Sequence, residues 1–583
     1  MARPLRVLHI GLLLARVLLS VVPAYIHPDE FFQAPEIAAS DLLRVDALRT
    51  WEFAPELAVR SIVPLYMFAG PPMLFLRLLA RALAALGWPM DVTTWMVFGA
   101  SRVFMALLSF SVDVSVYAAI RQRNRAARLQ PTMLLLASSY CLTVFHAHTF
   151  SNAFASMILA VCFYLLACIE TTARLADLFA LGGCLALGTF AHISFPMFAA
   201  PLGLACLVVL AAQANVLAGL CSLAAGGLMT ACAIVIIDSL YYGSSQWSGL
   251  GVFPGLLLNR PTCTVVNNLV YNTSRANLAI HGVHPWYMHA TVSMTALFGP
   301  LYLLALAKLW TFIWRPTSRS PVESYLTATA GASVICGVAV LSAAPHQEVR
   351  FLLPALPGIV ISTWRWHHLA SRRFWWWWAA FNTCLLVAYG VVHQAGVVPV
   401  VAHLASTSVW PTAYCRPQHT TTDALCAAGL VGEPAALKTK VLLVSTYMAP
   451  RHLLVQPSSD NPVGASVELV DLLGLDDNQI ADAIRNSTLV SGALARVASP
   501  GELAFKRVAR RYERTLLVVP SSANMDAIAP TTGDFHLWPV YSYAPHVNFD
   551  HIARVLMRPL LRSSLNVYVV CEGPPPLLAL NHA

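Results

Sequence analysis

Apolar runs separated by short polar stretches recur from the N-terminus to about residue 397, where the pattern changes. The runs fall at 5–23, 93–120, 131–149, 152–169, 177–195, 197–213, 216–238, 290–313, 322–343, 351–366 and 374–397. Uncharged stretches of about 18 residues or more, such as Val216 to Ile237, are long enough to cross a hydrocarbon core as helices. The pattern predicts an all-α polytopic membrane bundle of roughly 11 transmembrane helices over residues 1–397. One more run, Ile62 to Leu86, is apolar enough to span. It holds Pro64, Pro71, Pro72, Arg77 and Arg81, and proline breaks the helical hydrogen-bond ladder, so an interfacial or re-entrant segment is expected there. Residues 398–583 read differently. Strand-like runs "VLLVST" and "TLLVVP" alternate with "VELVDLLGLDDNQIADAIRN", which reads as helix, so a small α/β region is predicted.

Composition agrees with the membrane reading: 57% of the 583 residues are hydrophobic and 11% are charged, against about 25% charged in soluble domains. The net charge of +9 comes from short Arg clusters between apolar runs, not from a basic tract interleaved with aromatics, so nucleic acid is not an expected partner. With Arg3 and Arg6 in the cytoplasm, alternation of the spans places Arg121–Arg128, Arg174, Arg315/Arg319 and Arg365/Arg372/Arg373 on the cytoplasmic side too. The opening segment reads as a retained signal anchor, interrupted by Arg16. Nine of the 13 cysteines lie in apolar runs; Cys415 with Cys426 is the expected disulfide if the tail faces an oxidising lumen.

The same topology gathers the polar stretches 24–92, 239–289, 344–350 and 398–583 on the luminal side. Four motifs there carry chemistry. "HPDE", His27 to Glu30, follows the first span directly, and Pro28 disfavours helix through the preceding residue. A carboxylate partly removed from water there can act as a general base; the plain alternative is that Asp29 caps a short helix. "DSLYYG" brings Asp238 to the end of a span, as a site-lining acid or a mere span boundary with interfacial tyrosines. "HGVHPWYMH" supplies His281 and His284, poor as metal ligands for want of third and fourth partners, and better as hydrogen-bond donors. "PHQEVR" crowds His346, Glu348 and Arg350 into five residues at the membrane surface. Arg350 there binds a phosphate, pairs with Glu348, or touches headgroups. Sequons stand at Asn272 and Asn486, both in luminal segments, and mark the expected N-glycosylation sites.

"HPDEFFQAPE", "WEFAPELAVRS", "DSLYYG", "HGVHPW" and "PHQEVRFLLP" follow one another in the order of glycosyltransferase family 22, which the chain resembles over about residues 30–350. The resemblance implies a GT-C-type membrane enzyme of the endoplasmic reticulum, with dolichyl-phosphate-mannose as donor, no cofactor and no metal. "HPDEFFQ" and "NLAIHGVHPWYMH" are most similar to members that add an α-1,2-linked fourth mannose to a GPI precursor. Members adding the third GPI mannose, or mannoses of the N-glycan precursor, share the motif order. The resemblance implies an inverting transfer with Asp29 as base and Glu30 as its alternate, Glu30 being expected rather to hold a neighbouring group. His346 and Arg350 would hold the donor phosphate, and His27, Asp238, His281 and His284 would line the site. A lipid or sugar transporter, the competing class, should carry mid-span acids and an internal repeat; Asp113 is the one obvious mid-span acid, and no repeat is visible.

Overall fold

The computed structural model describes residues 3–127, 129–172, 174–212, 216–243, 261–280, 282–314, 325–366, 371–407, 437–456, 466–495, 512–528, 535–549 and 563–572. Cys415, Cys426 and His281, named above, lie outside them.

The membrane region is a helical bundle. Among the described residues five helices are long and apolar enough to cross a membrane: Thr94–Arg123, Ser151–Thr172, Val216–Gly243, His289–Thr311 and Tyr325–Ala343. A sixth is counted if Ile62–Phe68 and Gly70–Ala85 are one broken span; they meet at a bend of 57°. The break follows the sequence, since Gly70 is followed by Pro71 and Pro72, and proline suits only the first turn of a new helix.

The eleven expected spans are therefore not all long helices. The run 131–149 is the short helix Gln130–Ala137 followed by a π-helical turn Cys141–Phe145, nearly all buried. The run 351–366 is a 3-10 turn, Val349–Leu352, and a nine-residue helix, Ala355–Thr363. Both are apolar because protein surrounds them, and composition cannot tell that from lipid. Leu175–Ala191 and Phe195–Ala211 have 17 residues each, near the lower limit for a span.

Two devices hold the bundle. Arg16, which interrupts the first apolar run, is buried and meets Asp113 at 2.6 Å, so two intramembrane charges satisfy each other. Helices Leu175–Ala191 and Val216–Gly243 touch backbone to backbone: a Cβ on Gly226 would lie 1.9 Å from the carbonyl oxygen of Phe179. Small residues permit this close approach. Arg123 meets Glu170 at 2.9 Å, joining the C-terminal ends of Thr94–Arg123 and Ser151–Thr172, which the charge rule puts on one side.

The C-terminal part is a five-stranded mixed sheet of β1 (Leu437–Leu443), β2 (Ser466–Asp471), β3 (Tyr512–Pro520), β4 (Phe535–Tyr543) and β5 (Leu565–Glu572), in the order β2-β1-β3-β5-β4. The first three strands are parallel, and β5 runs antiparallel to β3 and β4. One expectation is corrected here: "VELVD" is strand, with Val467 and Leu469 buried on alternate positions. Helix begins only at Asp477, after Gly474 turns the chain at φ +87°. Asp476 and Gln479 exchange side-chain-to-backbone hydrogen bonds at 2.8 and 3.1 Å, a reciprocal cap that sets the start.

The sheet region is joined to the bundle by one continuous apolar core. Its loop 446–456 packs beneath the turn after the first helix. The Tyr25 hydroxyl donates to the Met448 carbonyl at 3.2 Å, Thr94 to that of Leu453 at 2.6 Å, and the His452 amide to buried Glu36 at 3.3 Å.

Candidate active site

A cavity of about 320 Å³ opens between the turn after the first helix, the loop 51–61, the helix Thr264–Thr273 and the hairpin 344–350. Asp29, His346 and Arg350 all line it. The acid and the cation, from opposite ends of the membrane region, meet directly: Arg350 Nη2 lies 2.6 Å from Asp29 Oδ2. Capping does not account for Asp29. Pro28 occupies the N-cap of the helix Asp29–Phe32, and no side chain caps it.

Arg350 is shared between two carboxylates, since its Nε also donates to Glu348 Oε2. Glu348 Oε1 in turn meets His346 Nε2 at 2.8 Å. The guanidinium packs between Phe150 and Phe351, 5.8 and 5.6 Å from their ring centroids. The hairpin is pinned from behind: Asn152 donates to the Arg350 carbonyl at 3.1 Å and Ser156 to that of Leu353 at 3.1 Å. These charges tune one another. Burial alone would raise the Asp29 carboxyl; Arg350, and then His27, outweigh it and hold it below its ordinary value. Glu348 is likewise held well below the usual range by Arg350 and His346 against the effect of burial. The hydrogen bond to Glu348 raises His346.

Adjacent to Asp29 in sequence, Glu30 goes elsewhere. It is fully buried, does not line the cavity, and pairs with buried Arg102. Burial pushes its carboxyl up to about 7, with Arg102 working against that. Successive residues of a helix point about 100° apart, so one reaches the cavity and the other the core. Glu30 thus holds a neighbouring group, Arg102, which also donates to the Ala24 carbonyl at 2.8 Å, and it does not reach the cavity as an alternate base.

Other expected site-lining residues also stand one layer back. Asp238 is buried and accepts hydrogen bonds from Ser61 and the Ile62 amide at 3.1 Å and from Thr264 at 3.0 Å. It does not line the cavity; it fixes Ser61 and Thr264, which do. His284 accepts from the Gln347 amide at 3.3 Å and braces the hairpin. His27 Nδ1 lies 3.6 Å from Asp29 Oδ1, beside the cavity. Asn272 lines the cavity, while Asn486 is exposed on the helix Asp477–Ala495. Among the described residues no group of three His, Cys, Asp or Glu side chains converges as a metal site.

Sequence reasoning missed a second charged cluster in the same cavity. Gln33 donates to Asp29 Oδ2 and, at 3.5 Å, to Glu52 Oε1. Arg60 closes on that same Glu52 oxygen at 2.9 Å. The spacing of Gln33 four residues after Asp29 was a usable signal, because such pairs share a helix face. Glu52 and Arg60 stand in "WEFAPELAVRS", but no local pattern there announces a cavity.

The sequence profile of the Alg9-like mannosyltransferase family matches residues 7–452. The chain is 30% identical over 552 residues to GPI mannosyltransferase 4 of Aspergillus oryzae, covering 93% of both. It is also 30% identical over 522 residues to the Homo sapiens GPI alpha-1,2-mannosyltransferase 4, covering 83% of this chain and 81% of that one. Among solved structures it is similar to ArnT from Cupriavidus metallidurans bound to undecaprenyl phosphate, with 13% identity, 98% of each chain covered and a TM-score of 0.46, a likeness too loose to decide the fold.

Proposed function

The chain belongs to the Alg9-like mannosyltransferase family, and from that premise we propose that it transfers an α-1,2-linked fourth mannose from dolichyl-phosphate-mannose to a GPI-anchor precursor. The bundle is read as GT-C-type, in the endoplasmic reticulum membrane with its cavity on the luminal face. The agreement of the Arg clusters with that orientation supports the reading. The observation that carries it is the meeting of Asp29 and Arg350 in one cavity.

The donor is β-linked to phosphate and the product is α-linked, so one in-line displacement inverts the sugar carbon. The acceptor oxygen forms the new bond as the bond to the phosphate oxygen breaks. The dolichyl phosphate leaves with that electron pair, and Asp29 takes the hydroxyl proton. Arg350 and His346 stabilise the charge growing on the leaving phosphate. Leu65, Phe68, Met197 and Leu341 give the cavity an apolar wall suited to the lipid. Arg350 also couples binding to chemistry. In the free protein it neutralises Asp29; a phosphate competing for the guanidinium releases the carboxylate and raises its proton affinity when a base is needed.

The test is transfer in vitro from dolichyl-phosphate-mannose to synthetic GPI glycolipids bearing two or three mannoses. Product with the three-mannose acceptor alone is expected. Transfer to the two-mannose acceptor would move the assignment to the third-mannose reaction, and transfer to neither would refute the GPI reading.

A further inference from the structure

One end of the cavity is not explained by the donor. Trp51 and Tyr271 both line it and stack on each other, with ring centroids 4.5 Å apart and planes at 30°. Trp51 is 40% exposed. The chain places carbohydrate-binding groups around the pair. Glu52 follows Trp51 in the 3-10 turn Trp51–Phe53. Arg60 and Gln33 both use Glu52 Oε1, so those contacts leave Oε2 uncommitted. Asn268 and Asn272 sit one helical turn apart on Thr264–Thr273 and line the same end. Asn272 donates to the Asn268 side chain at 2.8 Å, and Asn268 to the Val59 carbonyl at 3.1 Å, which ties this helix to the loop that carries Trp51.

We propose that Trp51 and Tyr271 form the platform of the acceptor subsite, on which the terminal mannose of the acceptor glycan rests, with Glu52 and Asn272 taking its hydroxyls. A pyranose ring offers an apolar C–H face and a rim of hydroxyls; an aromatic face edged by a carboxylate and amides matches both. Position selects acceptor over donor. The phosphate-binding cations come from the hairpin 344–350, whereas Trp51 and Tyr271 come from the loop 51–61 and the helix Thr264–Thr273. Register selects the reacting hydroxyl. Asp29 and Glu52 are both within hydrogen-bond reach of Gln33 Nε2, so a sugar with one hydroxyl on Glu52 presents a neighbouring hydroxyl to Asp29. The subsite rests on the function proposed above.

The test uses full-length protein in detergent with dolichyl-phosphate-mannose and the synthetic three-mannose GPI glycolipid. Trp51→Ala should raise the acceptor KM by about 2- to 13-fold, the scale of one lost aromatic contact, while the donor KM stays within about twofold. Tyr271→Ala leaves Trp51 in place and should shift the acceptor KM in the same direction; it serves if Trp51→Ala does not fold. Glu52→Gln should lower kcat/KM for the acceptor without raising the donor KM. A rise in the donor KM instead, or unchanged acceptor KM in folded variants, overturns the subsite. If wild-type protein uses only another mannosylated acceptor, the GPI reading fails and the same KM comparison on that acceptor still decides the platform. Glycan mapping should find Asn272 unmodified; a glycan there would fill the subsite and overturn it as well.

Discussion

Replacing Asp29 by Asn removes a negative charge and a proton acceptor while keeping the shape of the side chain. Two costs can be separated. The first is structural. Asp29 is a quarter exposed, and its partner Arg350 retains Glu348, so the guanidinium is not left uncompensated. The loss should resemble that of a partly exposed pair, about 1 kcal/mol. The second is catalytic: a general base contributes about 10²–10⁴ in rate, which is about 2.7–5.5 kcal/mol of barrier. Binding should move the other way, because Arg350 no longer competes between Asp29 and the donor phosphate. The assay is initial-rate transfer of labelled mannose with the donor varied at saturating acceptor, alongside a thermal melt of the purified protein. The expected result is a kcat lower by about 10²–10⁴-fold, an unchanged or lower donor KM and a near-native melt. A folded variant with kcat within about threefold of wild type would refute Asp29 as base; a raised donor KM at unchanged kcat would assign it to donor binding instead.

Glu30→Gln, one residue on, should fail in the opposite way: it leaves Arg102 charged and buried without its carboxylate, costing about 3–5 kcal/mol of stability. Glu30→Gln with Arg102→Met should recover much of that in the thermal melt; no recovery would refute the pair as the cause. Glu36→Ala removes the acceptor for the backbone amides of Leu48 and His452. About 1–3 kcal/mol per orphaned donor is expected, with faster hydrogen exchange at Leu48 and across 446–456; unchanged exchange in 446–456 would refute the docking role. Acid should destabilise the site because the Asp29 and Glu348 carboxyls are held below their ordinary values. Their contribution is whole above the unfolded values of about 4 and lost as pH falls through the depressed ones. Arg350→Gln should therefore flatten stability against pH below about 4; an unchanged slope would refute the coupling.

Much of this protein was legible before any coordinates. Long uncharged runs require helices in lipid, because backbone polar groups find no water there, and the Arg clusters give them an expected orientation. The turn at Pro28 and the crowding of His346, Glu348 and Arg350 are local facts, and each marked a charged surface position with a plain alternative, a helix cap or a local ion pair, of which the Glu348–Arg350 pair does form. The sequence also marked Arg16 and Asp113 as out of place in apolar runs; it did not say that they meet. What only the tertiary structure decided is direction and depth. Asp29 and Glu30 are identical in local context, yet one faces a cavity and the other Arg102, because the helix turns and the neighbouring helix supplies a cation on one side only. Apolar runs at 131–149 and 351–366 read as long helices in lipid, but they are short helices and turns buried by surrounding protein. Glu52, Arg60 and Trp51 acquire meaning only when the loop 51–61 folds across the acid turn, a contact no sequence periodicity encodes. Composition reports the solvent that a segment needs; which side chain meets which is set by packing among segments distant in the chain.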